Sequence, residues 1–155
     1  MSDTFEIYYE IDSRLKKQLT DTKLLKDLQY YEFGIYFKIN GQIVGNHVEF
    51  LLWVLDDFLH NIITKYPSQP IVLPGRDDPV VVTFEPMQSK YEIKIVDERH
   101  PTQMTKVVID KKRALADILS FSENLIEDIL KINKNLENYE IIINIKTKIQ
   151  KLKQF

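Results

Sequence analysis

The sequence predicts an α+β domain in which an antiparallel β-sheet of about five to six strands carries two or three amphipathic helices on one face. Several short segments alternate apolar and polar residues, as half-buried strands do. Two longer stretches, residues 47–66 and the residues after Asp110, repeat apolar residues at three- and four-residue steps, as helices do. Strand runs that are interrupted by helices without regular alternation are typical of α+β folds rather than parallel α/β folds.

Length and composition fit a single domain over residues 1–155. A chain of 155 residues can bury a sufficient core without disulfides, and the absence of cysteine excludes thiol chemistry and cysteine metal sites. No membrane span and no signal-peptide pattern is indicated, so we expect a cytoplasmic protein that contacts no membrane. The net charge of −2 argues against binding to nucleic acid, which needs a basic face.

Charge is distributed unevenly along the chain. Residues 47–110 hold ten acidic residues against six Lys or Arg, whereas residues 134–155 hold five Lys against two Glu. We expect the acidic middle and the basic tail either to meet within the fold or to present two different surfaces.

The first segments predict a strand followed by a hairpin. Residues 5–11 and residues 30–39 alternate apolar and polar side chains. Asn40-Gly41 follows directly, and both residue types accept the positive φ angles of a type I′ turn. Residues 42–45 are therefore predicted to be a short return strand.

One face of the sheet that contains these strands is predicted to stay partly open to solvent. It is rich in tyrosine, at Tyr8, Tyr30 and Tyr36, and an antiparallel sheet tolerates one solvated face. Gly34 lies in the middle of the second strand. A glycine there indicates a bulge or a place where another backbone approaches closely.

The central helix is predicted over residues 47–66, with Asn46 as its N-cap. An earlier short helix is predicted over 21–28, capped by Thr20 or Asp21. Each apolar side chain that such a helix buries contributes roughly 1.5–3 kcal/mol, so the central helix can anchor a sheet.

Residues 71–109 predict further strands joined by turns. Apolar runs occupy 71–73, 80–84, 91–96 and 104–109, with a turn over 85–90. Connections this short favour an antiparallel meander.

The end of the chain predicts two helices. Asp110 is placed to cap the first, which residues 133–138 interrupt. Residues 139–153 fit a third helix, and a strand over 139–147 is the alternative because the segment is rich in β-branched isoleucine.

Charged residues in three segments are the predicted contact with a partner protein. They form an acidic helix face and two mixed loops that would share one edge of the meander and steer a basic partner. The alternative interpretation is a solvated helix face and solvated turns. These residues are Asp56, Asp57, His60, Arg76, Asp77, Asp78, Glu98 and Arg99.

The strongest enzymatic pattern is Asp78 followed by Glu92-Ile93-Lys94. Nucleases of the PD-(D/E)xK type hold a divalent metal with such acids, and Glu49 would be a third. The order here is Asp-Pro rather than Pro-Asp, however, and Glu-x-Lys is also common on the solvent face of a strand. We predict no catalytic residue.

Metal and cofactor motifs are weak. Asp56, Asp57 and His60 lie within one helical turn, but no second cluster at ligand spacing accompanies them. We predict neither a metal nor a cofactor. Trp53 and Phe50 flank the central helix and predict a second layer of the core, with an exposed aromatic anchor for a partner as the alternative.

Residues 30–63 (YYEFGIYFKINGQIVGNHVEFLLWVLDDFLHNII) and residues 114–130 (ALADILSFSENLIEDIL) together resemble the small immunity proteins that bacteria encode beside polymorphic toxins. The resemblance is one of pattern, so it assigns no functional residue. It implies a cytosolic, cofactor-free protein that blocks a toxin by direct contact. We therefore predict a non-enzymatic protein-binding module with a basic toxin domain as its partner. The alternatives are a nuclease that uses Asp78, Glu92 and Lys94, and a small-molecule pocket. The oligomeric state stays open.

Overall fold

The computed structural model describes residues 3–21, 28–73, 79–100 and 102–155, and it confirms the predicted α+β class. The strands are β1 Phe5–Glu10, β2 Phe33–Ile39, β3 Gln42–Glu49, β4 Ile71–Leu73, β5 Val80–Met87, β6 Lys90–Asp97 and β7 Met104–Asp110. The helices are α1 Ser13–Thr20, α2 Leu51–Lys65, α3 Lys111–Ile132 and α4 Glu140–Leu152, with 3₁₀ turns over Leu28–Tyr30 and Lys134–Asn138.

The first three strands form an antiparallel sheet in the order β1-β2-β3, called the N-terminal sheet below. Asn40 and Gly41 have φ angles of 51° and 83°, so the predicted hairpin turn is confirmed. One side of β2 is fully buried, which gives the strand the alternation that predicted it. The buried side chains of β2 are Phe33, Ile35, Phe37 and Ile39.

The other strands form a second antiparallel sheet in the order β4-β5-β6-β7, called the C-terminal sheet below. Its last three strands are the predicted meander. The predicted turn over 85–90 is wrong in its extent, because β5 continues to Met87 and pairs there with Lys90. Gln88 lies between them and takes a positive φ of 59°, which lets the chain reverse in a tighter turn.

The seven described strands lie in two sheets, whereas the sequence predicted one sheet of about five to six strands. β4 pairs with β5 instead of extending the N-terminal hairpin. The two sheets meet through side chains, as where the Phe5 ring packs edge-on against Phe84 with centroids 5.9 Å apart. An alternating pattern shows that a strand has a buried face but does not show which strand it pairs with, so it could not separate these two arrangements.

The predicted helix over 47–66 is observed as α2, but it begins only at Leu51. Asn46 is not its N-cap, because Asn46 lies within β3. In this part of β3, Val48 pairs with Gly34 of β2. Residues 47–49 therefore belong to the strand pairing and not to the first turn of the predicted helix. Val48 is 58% exposed instead of belonging to the helical apolar stripe.

The two C-terminal helices are close to the prediction. Asp110 occupies the N-cap position of α3, although its side chain makes no capping hydrogen bond. Residues 139–153 form a helix and not a strand. The apolar residues at three- and four-residue spacing are all buried in α4, namely Ile142, Ile145, Ile149 and Leu152. Within the described ranges, no helix has the length and apolar character needed to cross a membrane.

The short helix predicted over 21–28 falls largely on residues 22–27, which lie outside the described residues. A short helix, α1, is present just before them. Its N-cap is Asp12, whose carboxylate accepts a hydrogen bond from the Leu15 backbone N–H at 2.7 Å. Asp21 is the C-terminal cap of α1, and the helix that Thr20 or Asp21 was predicted to cap lies outside the described residues.

An ion pair between Asp56 of α2 and Lys148 of α4 joins the acidic middle of the chain to its basic tail. Their side chains are 17% and 22% exposed, so the pair lies partly inside the interface between these helices. We expected the acidic middle and the basic tail either to meet within the fold or to form separate surfaces. At this ion pair they meet within the fold.

Candidate functional site

A groove crosses one end of the outer face of the N-terminal sheet. Its floor is a row of three residues in register, with Glu10 of β1 opposite Gly34 of β2 and Gly34 opposite Val48 of β3. Side chains alternate between the two faces of a strand, so these three positions share the face that points away from the core. Because Gly34 has no side chain, the floor is depressed between Glu10 and Val48. We call this site the Gly34 groove.

Residues from three parts of the chain form this floor and the walls around it. The cavity has a volume of about 610 Å³, which lies within the usual range of roughly 300–1,000 Å³ for binding pockets. Its walls include Asp12, Arg14, Gln18, Tyr30, Glu32 and His47. The groove is thus built where β1 passes into α1, where the chain enters β2, and along the second half of β3.

The Gly34 groove is lined mainly by acidic side chains. Among the described residues, the carboxylates of Glu10, Asp12 and Glu32 and the guanidinium of Arg14 line it. One oxygen of Asp12 is engaged in capping α1. Glu10 and Glu32 are exposed, and neither has an ion-pair partner among the described residues. Their negative charge therefore faces solvent and any molecule that enters the groove.

His47 belongs to the structural support of one wall. It is 8% exposed, its ring stacks on Phe37 with centroids 6.1 Å apart, and its Nδ1 lies 2.6 Å from the Gly45 carbonyl oxygen. These contacts fix the imidazole against β2 and β3. His47 therefore shapes the groove mainly by holding the strand that forms its edge.

Tyr30 forms another wall and is held by aromatic neighbours. Its ring makes edge-on contacts with Phe50 and Trp53, with centroids 6.0 Å and 5.5 Å apart. Phe50 and Trp53 are half-buried, which agrees better with a second layer of the core than with an exposed anchor. Tyr30 itself remains 48% exposed and is available to a partner.

The predicted tyrosine face lies beside the groove and is partly open. The Tyr8 and Tyr36 rings stack with centroids 5.1 Å apart, and the Lys38 ammonium lies 4.8 Å from the Tyr8 centroid. The Tyr8 ring is therefore in contact with two side chains of β2. Tyr30 was predicted to belong to this strand but lies in the 3₁₀ turn before it.

The predicted partner contacts on α2 have different environments. Asp56 is paired with Lys148 and partly buried, so it has a role in holding α2 to α4. Asp57 and His60 are exposed on α2. The helix face therefore offers a partner less free acid than the sequence suggested.

The predicted loop contacts are described only in part. Arg76, Asp77 and Asp78 lie outside the described residues. The backbone N–H of Glu98 donates to the Pro79 carbonyl at 2.7 Å, so the second connection lies beside Pro79, the last residue before β5. The Glu98 side chain is exposed there.

Arg99 links the two sheets. Its Nε and Nη2 donate to the Asp97 carboxylate at 2.9 Å and 2.7 Å, and Nη2 also donates to the Asn46 carbonyl at 3.0 Å. The side-chain hydrogen bonds from Arg99 lower the pKa of Asp97 to about 2. Arg99 therefore connects the end of β6 to β3, which is a structural role beside the predicted binding role.

The residues of the nuclease alternative are not brought together in the described part of the chain. Glu92 and Lys94 form an ion pair of 3.3 Å on the outer face of the C-terminal sheet. Glu49 lies on the N-terminal sheet, is 3% exposed, and accepts a hydrogen bond from the Phe50 N–H at 2.9 Å. Asp78 lies outside the described residues. No group of three or more His, Asp or Glu side chains that could hold a metal is found among the residues described.

The sequence pattern marks Gly34 as unusual but does not predict the groove. The predicted bulge is wrong for this residue, because the irregularity in the β2–β3 pairing lies opposite Ile35–Phe37 while Gly34 keeps its register. In the described part of the chain, a Cβ placed on Gly34 would have only Glu10 side-chain atoms within 4 Å, so no described backbone segment approaches it there. The available signals were Glu32, two residues before this mid-strand glycine, and Glu10 at the end of the preceding strand. No known protein family, curated protein or solved structure matches this chain.

Proposed function

We propose that this protein is a non-enzymatic module that binds another protein, with the Gly34 groove as part of its contact surface. The observation that carries the proposal is an open depression edged by the carboxylates of Glu10, Asp12 and Glu32. Among the described lining residues, three carboxylates accompany one guanidinium. This excess of negative charge favours a basic partner, because complementary charge steers and orients association.

The surroundings of the groove favour a protein over other partners. Val48 and Tyr30 place exposed apolar and aromatic surface within a charged rim, and this arrangement is typical of protein interfaces. An acidic surface repels the phosphates of nucleic acid. Small-molecule sites usually enclose their ligand between apolar walls, whereas the rim of this groove is largely charged and exposed.

The more specific form of the proposal is a bacterial, cytoplasmic immunity protein that neutralises a basic toxin domain by direct contact and without a cofactor. The pattern-level resemblance of residues 30–63 and 114–130 to such proteins supports it. The first of these segments contributes two of the three residues of the groove floor, Gly34 and Val48.

The test is complex formation between the purified protein and the product of the gene adjacent to its own. We expect a stable complex, and we expect Glu10→Lys combined with Glu32→Lys to raise its dissociation constant at least about tenfold, since it reverses charge at the contact. Isothermal titration calorimetry measures both. Glu85→Lys is the matched control, because Glu85 is an exposed acid on the other sheet and should leave the affinity unchanged.

A further variant separates the groove from the helix face that the sequence predicted. Asp57→Lys reverses an exposed charge on α2 that has no part in the groove. If this variant weakens the complex and the groove variant does not, the contact lies on α2 and the groove is rejected. Absence of any complex with the adjacent gene product rejects the immunity form of the proposal.

A further inference from the structure

The fold does not explain why residue 34 is a glycine. Its φ is not among the positive values that Gly41 and Gly45 adopt, so its backbone conformation is open to any residue. A Cβ at this position would lie 3.5 Å from Glu10 Oε2 and 3.6 Å from Glu10 Cβ, which is ordinary van der Waals contact. Glycine weakens the interior of a strand because it packs no side chain. A larger residue would therefore serve the sheet better.

The space above Gly34 is bounded by groups that suit a cationic side chain. The Glu10 carboxylate lies beside the vacant Cβ position, and Val48 lies across the glycine on the neighbouring strand. Glu32 and the half-exposed Tyr30 line the same cavity. Carboxylates, an apolar surface and an aromatic ring are the three kinds of surface that an arginine side chain contacts.

We propose that the depression at Gly34 seats one arginine side chain presented by an exposed loop of the partner protein. Its guanidinium faces Glu10 and Glu32, and its aliphatic part lies against Val48. The inference rests on the proposed function, because it names what the partner contributes to the same groove.

Arginine fits this place better than lysine for two reasons. Its planar guanidinium donates two parallel hydrogen bonds to a carboxylate, whereas an ammonium acts as a point charge. Guanidinium is also more weakly hydrated than ammonium and stacks on aromatic rings. It therefore loses less hydration free energy than ammonium when it enters a groove beside Tyr30.

The test is titration of the ¹⁵N-labelled protein with the capped pentapeptide Gly-Ser-Arg-Ser-Gly, followed by NMR. A single side-chain contact should bind weakly, with a dissociation constant on the order of a millimolar. We expect amide shifts concentrated at Glu10, Gly34 and Val48. The peptide with citrulline in place of arginine has nearly the same shape without the charge and should give no such shifts.

Two variants show whether the depression itself is used. Gly34→Val fills the space, and valine favours strands, so the sheet should be kept while the shifts are lost. Glu10→Gln leaves the space open and removes one charge, and it should weaken binding about tenfold. If Gly34→Val does not fold, Glu10→Gln decides the question.

The outcomes separate this inference from the proposed function. Equal shifts with citrulline, shifts centred elsewhere, or no shifts at the highest peptide concentration overturn the arginine seat. Tighter binding of agmatine than of the peptide also overturns it, because the groove would then serve a small cation. If the adjacent gene product binds the native protein and the Gly34→Val variant equally, the seat fails while protein binding stands. If the peptide binds at the groove and no protein partner does, the arginine seat stands while the proposed protein-binding function fails.

Discussion

At the scale of single residues, Tyr91 carries a group that the described structure leaves unsatisfied. The side chain is 2% exposed, and its hydroxyl is buried without a hydrogen-bond partner among the described residues. Burial, with a smaller effect from Tyr66, raises the pKa of Tyr91 from 10.0 to about 12. The folded protein therefore holds this proton more tightly than the unfolded chain does.

This shift has a definite sign in the dependence of stability on pH. A group that keeps its proton better when folded contributes its full stability below the pKa of the unfolded chain. For Tyr91 that contribution is present up to about pH 10 and is lost as the pH rises towards about 12.

We predict that Tyr91→Phe leaves the free energy of unfolding at pH 7 unchanged or raises it by about 1 kcal/mol, because a buried hydroxyl without a partner is costly. The loss of stability between pH 10 and pH 12 should be smaller in the variant. Urea denaturation at a series of pH values measures both effects. Tyr30→Phe is the control, since Tyr30 is 48% exposed and packs against Phe50 and Trp53. A loss of more than about 1 kcal/mol at pH 7 would contradict the prediction and indicate a bonded hydroxyl.

At the scale of elements, the strands and helices with a single dominant pattern could be predicted from the sequence. The type I′ turn at Asn40-Gly41, the meander and α3 follow from turn chemistry and periodicity. The start of α2 could not be predicted, because residues 47–49 fit a helical stripe as well as the strand they form. Pairing with β2 decides between them, and that pairing involves residues distant in sequence.

The pairing of α2 with α4 also depends on such a distant contact. The Asp56–Lys148 ion pair joins residues on two helices and is mostly shielded from solvent. Such a pair is worth more than an exposed one, since exposed pairs contribute only about 0–1 kcal/mol. Removing one member leaves the other charge partly buried without its partner.

We predict that Asp56→Ala and Lys148→Ala each lower the free energy of unfolding by about 1–3 kcal/mol and that the double variant loses less than the sum. A double-mutant cycle with chemical denaturation measures the coupling. The matched control is Glu127–Lys131 of α3, a pair at 3.6 Å whose side chains are 63% and 70% exposed. We expect its coupling to be below about 0.5 kcal/mol. Equal coupling in the two pairs would show that the α2–α4 pair is effectively solvated.

At the scale of the whole molecule, the sequence predicted the class but neither the two sheets nor the groove. The floor of the Gly34 groove takes Glu10, Gly34 and Val48 from three strands, and its walls come from further segments. Periodicity reports which side of an element is buried and does not report how elements are arranged. The sequence could therefore mark Gly34 as unusual without showing what surrounds it.

The two sheets meet closely at Gly45 of β3. A Cβ there would lie 3.0 Å from Val80 Cγ1 of β5 and 3.6 Å from Ile95 Cγ2 of β6, and Gly45 also has a φ of 64°. Both the backbone and the space at this junction thus require glycine. The nearby hydrogen bond from Arg99 to the Asn46 carbonyl holds the same junction from its polar side.

We predict that Gly45→Ala lowers the free energy of unfolding by about 2–4 kcal/mol, because the strain of a left-handed alanine adds to overpacking between the sheets. Gly41→Ala has a φ of 83° but nothing within 4 Å of the new Cβ, so it should lose about 1–2 kcal/mol from strain alone. Gly34→Ala has neither problem and should gain about 0.5–1 kcal/mol. Chemical denaturation of the three variants gives the order directly. If Gly45→Ala were no worse than Gly41→Ala, the sheets would not be in close contact at this residue, and their packing would have to depend on other parts of the interface.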